Sequence, residues 1–342
     1  MIYSLSLREG LTITAVLSAI NYISVLHGRW GDTASPQDRS PLRAGERLLM
    51  RRIRRQLRTP SEGPLNLTRS EKADQSQYGV PDFVLSLTNN KTGGFFVECG
   101  AFDGETMSNT LLLERRYGWS GLLMEPARQL FAKMVTKRRH AWLLEACISN
   151  RPYSYEAQFQ ELAFLGTLED NVTSMSWSDV SQHQQGMFYG KPMSERRQYS
   201  VPCYPLDAVL AALGSRSVDF FSLDVEGVEM GVLASIPWRQ LDIKIVSVEV
   251  FLGTRWNPQL PGIVDIMEMN GYWAEPLLVD WLFVKKDSEF ANGSVEKIRT
   301  FRDYMISSRR WTPEGWVSTR NLPLSKWGSD SPIQEYKVHE MS

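Results

Sequence analysis

The sequence predicts an α/β fold with a mainly parallel sheet, and three observations support it. From residue 78 onward, short apolar runs typical of strands alternate with amphipathic stretches typical of helices. The apolar run 95–99 leads through a glycine-containing turn into a helix, which is the local pattern of such folds. The 342 residues are 42% hydrophobic, enough for a sizeable buried core in one large domain or two small ones.

The N-terminal part of the chain predicts a membrane anchor and a linker. Residues 10–26 form an uncharged apolar run, close to the roughly 20 residues that span a bilayer. No small-x-small cleavage site follows, so we interpret residues 1–29 as a cytoplasmic stub and a single-pass, uncleaved signal anchor, with an apolar helix of a soluble protein as the alternative. Residues 30–77, rich in Arg, Ser, Pro, Gly and Asp, predict a flexible linker. The basic segment 51–58 within it predicts a solvated face or a contact with anionic headgroups.

The body, residues 78–290, can be divided into helices and strands at residues that typically begin or end such elements. Ser108 is a candidate cap for the first helix, and Pro126 ends the second strand. Residues 150–200 are polar and break the alternation, so they predict an insertion that carries substrate contacts. Residues 291–342 predict a helix and a tail. The predicted strands are 95–99, 119–124, 141–148, 218–223, 244–250, 272–279 and 281–285, and the predicted helices are 108–117, 127–139, 206–213, 229–235, 261–270 and 295–307.

Charge and cysteine content exclude several classes of protein. The formal net charge is −1, so the composition does not favour a nucleic-acid partner. Cys99, Cys147 and Cys203 are too few and too widely spaced for a disulfide framework or a metal site. Buried thiols are favoured over a Cys147–Cys203 bridge. No metal is therefore predicted.

Four glycosylation triplets occur along the chain and would suit a body in the secretory lumen. They begin at Asn66, Asn90, Asn171 and Asn292. Together with the predicted anchor they predict a membrane protein of the endoplasmic reticulum, Golgi or endosomal system, whose orientation the charges around the apolar run do not settle.

Acidic residues stand at the ends of three of the predicted strands. Glu98 ends the first strand, Glu125 the second, and Asp224 with Glu226 the fourth. Because the carboxyl ends of parallel strands share one edge of a sheet, these groups are expected near a common ligand. Glu125 is placed to accept hydrogen bonds from the ribose hydroxyls of a cofactor. Glu98 is placed to accept from the loop backbone or from an amino group of the cofactor. The loop that holds Gly100, Ala101, Asp103 and Gly104 is expected to lie against the remaining part of the cofactor.

These motifs resemble the FkbM family of S-adenosylmethionine (SAM)-dependent methyltransferases, and within it the invertebrate Star-like membrane proteins. The similar stretches are FVECGAFDGE at 96–105 with SNT at 108–110, GWSGLLMEP at 118–126 and DFFSLDVEGVE at 219–229. The resemblance covers roughly residues 80–290. It implies a Rossmann-like class I methyltransferase fold with a seven-stranded sheet, SAM at the strand edge, and methyl transfer to a hydroxyl of a small molecule, glycan or protein.

For such a transfer, Asp224 and Glu226 are the candidate catalytic residues, because a partly buried carboxylate there can remove the hydroxyl proton. Of the four histidines only His183 is considered as a base. Many catalytic family members have Asp where Glu98 stands and Asn where Phe102 stands. The Star-like branch is associated with trafficking of membrane-protein cargo, so a cargo-binding protein without turnover is the alternative function.

Overall fold

The computed structural model describes residues 44–72, 74–76, 79–162, 165–168, 197–250, 259–277, 280–307, 311–312 and 315–316. The predicted anchor at 10–26 and His183 lie outside the described residues. Contacts divide the chain into two units, Met1–Arg47 and Leu48–Ser342. None of the helices in these ranges combines the length and apolar character needed to cross a membrane.

Strands and helices of the described residues follow the predicted alternation. The strands are β1 (Phe95–Cys99), β2 (Ser120–Met124), β3 (Trp142–Leu144), β4 (Cys147–Ile148), β5 (Tyr155–Leu162), β6 (Leu165–Leu168), β7 (Arg197–Tyr204), β8 (Ser217–Leu223), β9 (Asp242–Glu249), β10 (Tyr272–Leu277), β11 (Asp280–Lys285), β12 (Trp311–Thr312) and β13 (Gly315–Trp316). The helices are α1 (Ala44–Gln56), α2 (Val80–Leu87), α3 (Leu111–Tyr117), α4 (Arg128–Thr136), α5 (Leu206–Leu213), α6 (Glu229–Ser235), α7 (Leu260–Met269) and α8 (Ser294–Ser307).

The main sheet has seven strands in the order β10-β11-β9-β8-β1-β2-β3. Strands β3, β2, β1, β8 and β9 are parallel, whereas β11 is antiparallel to both β9 and β10. The central strands are apolar on both faces, as in Phe96, Val97, Phe220 and Phe221, all fully buried, because helices cover both sides of a parallel sheet. The predicted Rossmann-like, mainly parallel seven-stranded sheet is confirmed.

A second sheet is formed by the region predicted as an insertion, together with its flanks. Its order is β4-β7-β5-β6, with β5 antiparallel to both β6 and β7. The stretch predicted as one strand at 141–148 is divided, because β3 pairs with β2 in the main sheet and β4 pairs with β7 in the second. The chain therefore changes sheets at Glu145 and Ala146.

The prediction of free thiols at Cys147 and Cys203 is wrong. These residues are directly paired on the parallel strands β4 and β7, with their Cα atoms 4.5 Å apart, and they form a disulfide. Their 56-residue separation along the chain concealed this proximity. Cys99 is a free, buried thiol.

The second half of the predicted flexible linker packs against the body. In α1, Ile53 is fully buried and the Arg54 Nε donates to the Ala212 carbonyl oxygen at 2.9 Å. Further along, Arg58 forms a β-bridge with Leu143. The basic segment 51–58 thus combines an exposed face with a buried contact.

Candidate active site

The loop after β1 owes its shape to two glycines. Gly100 has φ +82°, and a Cβ there would overlap the Asp224 carbonyl oxygen. Gly104 has φ +75°, and a Cβ there would lie 2.7 Å from the Met134 Cγ. A side chain at either position therefore meets both backbone strain and a steric obstacle. At Gly100 the loop passes directly beside the end of β8.

Glu98 lies under this loop with its carboxylate buried. It accepts hydrogen bonds from the Asn109 backbone N–H at 2.7 Å, from the Ser108 hydroxyl at 2.9 Å and from the Thr110 hydroxyl. The loop backbone is one of the two partners expected for Glu98 from the sequence. Ser108 also accepts from the Leu111 N–H at 3.2 Å, which satisfies a donor at the start of α3.

Arg139 is a buried organiser of the same loop that the sequence analysis missed. Its guanidinium, with no solvent-exposed surface, donates to Glu114 at 2.9 Å, to the Thr110 hydroxyl at 3.1 Å and to the Gly104 carbonyl oxygen. One side chain thus connects α3 with both ends of the loop. The sequence signal was weak, since Arg139 stands in a basic run that reads as solvated.

The remaining predicted cofactor residues surround the loop. Both Gly100 and Ala101 donate backbone N–H bonds to the Met124 carbonyl oxygen at 3.1 Å. The Asp103 carboxylate accepts from the Thr106 N–H at 2.7 Å and stabilises the turn. The Glu125 carboxylate is buried and accepts from the Phe102 N–H at 2.9 Å and the Ala127 N–H at 2.8 Å. Their roles toward a cofactor stay predictions.

Five carboxyl groups gather where β8, β9 and β11 meet this edge of the sheet. We call them the carboxyl cluster: Asp224, Glu226, Glu229, Glu249 and Asp280. Glu249 ends β9 and is directly paired with Asp280, which begins the antiparallel β11. Asp224, Glu226 and Glu249 are half-buried, whereas Glu229 and Asp280 are buried. Asp224 and Glu226 were predicted as site residues, whereas Glu229, Glu249 and Asp280 were missed.

Burial and mutual repulsion raise the pKa values in this cluster. Burial and the nearby Asp224 raise the pKa of Glu226 to about 8. Burial raises the pKa values of Glu229 and Asp280 to about 7 each, with Asp224 adding to both. Burial, followed by Asp224, raises the pKa of Glu249 well above its usual range.

Asp224 and Glu249 share a hydrogen bond. Burial raises the pKa of Asp224, whereas its bond with Glu249 lowers it. The same bond raises the pKa of Glu249. The pair is therefore best described as protonated Glu249 donating to an Asp224 carboxylate, the arrangement of two carboxyls that cannot both ionise.

One fully buried oxygen of the cluster lacks a hydrogen-bond partner among the described residues. The Glu229 Oε1 accepts from the backbone N–H groups of Val225 and Gly227 at 3.0 Å each, but the buried Oε2 has no hydrogen bond. Within the described ranges no cationic side chain forms an ion pair with the cluster. In the same ranges, no group of three or more His, Cys, Asp or Glu side chains is arranged to hold a metal ion. The edge thus presents acceptors to a ligand that brings donors or positive charge.

The second sheet borders the site beside Glu125. The Arg128 N–H, at the start of α4, donates to the Tyr199 hydroxyl of β7 at 3.0 Å, and the Arg128 guanidinium stacks 4.3 Å from the Tyr199 ring centre. This contact places the predicted insertion next to the loop edge.

Residues 98–273, from Glu98 in β1 to Trp273 in β10, match the methyltransferase FkbM domain. The chain belongs to the FkbM methyltransferase family. Its strand order and the antiparallel β11 give this FkbM domain the fold of a SAM-dependent methyltransferase. The match contains every predicted site residue.

Solved structures similar to this FkbM domain are distant in sequence. The FkbM methyltransferase of Methylobacillus flagellatus is 9% identical, with 70% of this chain and 59% of that one covered at a TM-score of 0.35. The precorrin-6y C5,15-methyltransferase of Geobacter metallireducens is 12% identical, and the match covers 65% of this chain and 95% of that one at a TM-score of 0.31. A SAM-dependent methyltransferase of Geobacter sulfurreducens, in complex with S-adenosyl-L-homocysteine, is 10% identical, and the match covers 81% of this chain and 92% of that one at a TM-score of 0.30. None of the curated proteins compared matches the chain.

Proposed function

We propose that the chain is a membrane-anchored, SAM-dependent O-methyltransferase that works at the carboxyl cluster. The observation that carries the proposal is the set of half-buried carboxyls, with the unpartnered Glu229 Oε2 behind them, at the strand edge of an FkbM domain. SAM has a sulfonium and an ammonium against one carboxylate, so it is a cation. A cation matches the Asp224 carboxylate at this edge, which has no ion-pair partner among the described residues.

Residues of the loop and of β2 would hold the cofactor. Glu125 follows β2 and its carboxylate accepts from the Phe102 N–H of the loop, which is the place from which it would accept from ribose hydroxyls. The backbone from Gly100 to Gly104 would lie against the methionine part, and Asp224 faces the same edge. Bound SAM would supply an activated methyl group to a nucleophilic oxygen.

Asp224 is the better base of the two predicted catalytic carboxyls at neutral pH. Glu226 holds its proton there, since its pKa is about 8. Burial raises the pKa of Asp224, but the hydrogen bond from Glu249 lowers it, so Asp224 is the carboxyl of this pair that ionises first and can accept the proton of an acceptor hydroxyl. Glu249 then acts as a positioning residue that stabilises the base.

The acceptor would reach the edge between the main sheet and the second sheet. Tyr199 of β7 contacts Arg128 next to Glu125, so the insertion forms one wall there. A wall built from an insertion suits a small-molecule, glycan or protein hydroxyl, because such segments vary while the core does not.

The membrane attachment of this function rests on the sequence. The uncharged apolar run at 10–26 is proposed as the single-pass anchor, in the endoplasmic reticulum, Golgi or endosomal system.

Calorimetric titration of the full chain with SAM tests the proposal. Wild type is expected to bind SAM, and Asp224→Asn to bind it at least about tenfold more weakly, because charge-assisted contacts are worth ~1.5–3 kcal/mol. The matched control is Asp242→Asn, at the opposite end of β9, which should leave the affinity unchanged. If folded wild type shows no binding at high micromolar SAM, the methyltransferase function is rejected.

Phe102 favours a second candidate, a Star-like cargo-binding protein that retains the fold without turnover. Phe102 lies within the cofactor loop at φ +52°, is half-buried and packs against the core, at a position where many catalytic relatives have Asn. Its own N–H and those of Gly100 and Ala101 are already bonded within the protein. Titration of Phe102→Asn separates the two functions: if SAM binds this variant and not wild type, the ring blocks the cofactor and the cargo-binding function is favoured.

A further inference from the structure

The disulfide between Cys147 and Cys203 indicates the compartment in which the body folds. It connects β4 with β7, and so attaches the second sheet to the segment that leaves the main sheet. Disulfides of this structural kind persist in oxidising compartments and are rare where thiols are kept reduced. Cys99, the free thiol, is buried in the core and shielded from oxidants.

Three of the four glycosylation triplets lie in the described residues, and each of their asparagines is solvent-exposed. They are Asn66, Asn90 and Asn292. The Asn66 side-chain amide donates to the Thr136 carbonyl oxygen at 2.9 Å, a bond that its second hydrogen can maintain when the first is replaced. Asn90 lies in the turn after α2, with Thr92 also exposed. None of the three would need to leave the core to carry a sugar.

Two of these asparagines lie at the sheet edge opposite the carboxyl cluster. Asn90 precedes the start of β1, whereas the candidate site follows its end. Asn292 follows the end of the antiparallel β11, whose first residue, Asp280, belongs to the cluster. The Lys91 ammonium lies 5.4 Å from the centre of the Phe290 ring, which brings the two segments together. Sugars at this edge would leave the candidate site accessible.

We infer that the FkbM body folds on the luminal side of the secretory membrane, with the Cys147–Cys203 disulfide formed and N-linked glycans on Asn66, Asn90 and Asn292. This goes beyond the proposed methyl transfer and does not depend on it. It also gives an orientation to the predicted anchor: residues preceding 10–26 face the cytosol, and the body faces the lumen.

N-glycosylation and disulfide formation each require a co-reactant that the secretory lumen supplies. In glycosylation, the bond from the sugar C1 to a polyprenyl diphosphate breaks and a bond from C1 to the asparagine amide nitrogen forms. The amide proton passes to a base, and the lipid diphosphate leaves. In disulfide formation, the two thiols lose two protons and two electrons to a disulfide-bearing oxidant, which becomes a dithiol.

Expression of the full chain in cells with a secretory pathway tests the inference. Peptide N-glycosidase is expected to increase the electrophoretic mobility of wild type, and each of Asn66→Gln, Asn90→Gln and Asn292→Gln to remove one mobility step. The matched control is Asn89→Gln, because Asn89 is equally exposed, has a similar φ of +51° and begins no triplet. Thr92→Ser should retain the Asn90 step, and Thr92→Ala should remove it.

Peptide mapping without reductant supplies the second readout. A cross-linked pair of peptides containing Cys147 and Cys203 is expected, with Cys99 alkylated only after denaturation. If the glycosidase leaves the mobility unchanged, or if all three cysteines are alkylated without reductant, the inference is overturned. Neither readout requires SAM binding, so its failure is distinguishable from failure of the methyltransferase proposal.

Discussion

At the scale of residues, Glu98 and Arg139 explain how the loop after β1 is held without a ligand. Both charged groups are buried, and each is satisfied by hydroxyl and backbone partners between Gly104 and Thr110. Burial raises the pKa of Glu98, and the charge of Arg139 is the largest influence lowering it. The two residues stabilise each other electrostatically through the loop that lies between them.

Replacing Arg139 should destabilise the protein strongly. Arg139→Met would leave the fully buried Glu114 carboxylate without its ion-pair partner, which costs about 3–5 kcal/mol. Chemical denaturation measures this loss. Arg138→Met, at the exposed neighbouring position, is the control and should stay near wild type. The double variant Arg139→Met with Glu114→Gln should recover part of the loss, and strict additivity of the two single effects would contradict the pairing.

The two left-handed glycines Gly100 and Gly118 allow steric overlap to be separated from backbone strain. Both have positive φ, but a Cβ at Gly100 meets the Asp224 carbonyl oxygen, whereas a Cβ at Gly118 meets nothing within 4 Å. Gly118→Ala should therefore cost only the strain, about 1 kcal/mol. Gly100→Ala should lose clearly more in the same unfolding titration. Equal losses would mean that the loop moves freely away from β8.

At the scale of elements, the predictable parts are those whose pattern is local. The run at 218–223 predicted β8 because a central parallel strand is apolar throughout, and α5 was predicted with its observed bounds of 206–213. Helix α2 was missed because six of its eight residues are buried, and only Asp82 and Ser86, one turn apart, mark its polar side. Helix α3 begins three residues later than predicted, since Glu98 and Ser108 hold 108–110 in a turn.

The candidate site could be predicted where it depends on parallel strands and not where it depends on long-range pairing. The carboxylates at the ends of β1, β2 and β8 were expected to share an edge because the carboxyl ends of parallel strands meet there, and these strands are neighbours in the sheet. Asp280 was not expected there, because the antiparallel direction of β11 becomes known only from its pairing with β9. The Cys147–Cys203 bridge was missed for the same reason, since β4 and β7 meet across 56 residues of sequence.

Reduction of this disulfide should lower the stability of the body. A cross-link across 56 residues restricts the unfolded chain by roughly 4 kcal/mol in the loop-entropy description. Dithiothreitol is therefore expected to lower the denaturant midpoint, and the Cys147→Ser, Cys203→Ser double variant to match reduced wild type. The control variant Cys99→Ala retains the disulfide, so dithiothreitol should lower its denaturant midpoint as it does for wild type. An unchanged midpoint after complete reduction would show that the bridge contributes nothing to stability.

At the scale of the whole molecule, the carboxyl cluster couples the stability of the fold to pH. Several buried carboxyls remain protonated in the folded protein at pH values where the unfolded chain has lost those protons. The folded state thus binds more protons than the unfolded state in this range. By linkage, its free energy of unfolding must fall as the pH rises. The candidate site and the pH dependence of stability have one physical origin.

We expect the free energy of unfolding to be highest near the ordinary Glu pKa of 4.5 and to fall as the pH rises through about 7, the folded-state pKa of Glu229. Urea titrations across this range measure the slope. Glu229→Gln and Asp280→Asn should each make the decline shallower, because the amides cannot ionise. Glu289→Gln is the control: ion pairing with Lys244 lowers the pKa of Glu289, so it does not titrate in this range and the slope should stay as in wild type. The expectation is contradicted if the free energy of unfolding of wild type rises with pH, or if neither cluster variant changes its slope against pH. Either result would show that these carboxyls are ionised in the folded protein.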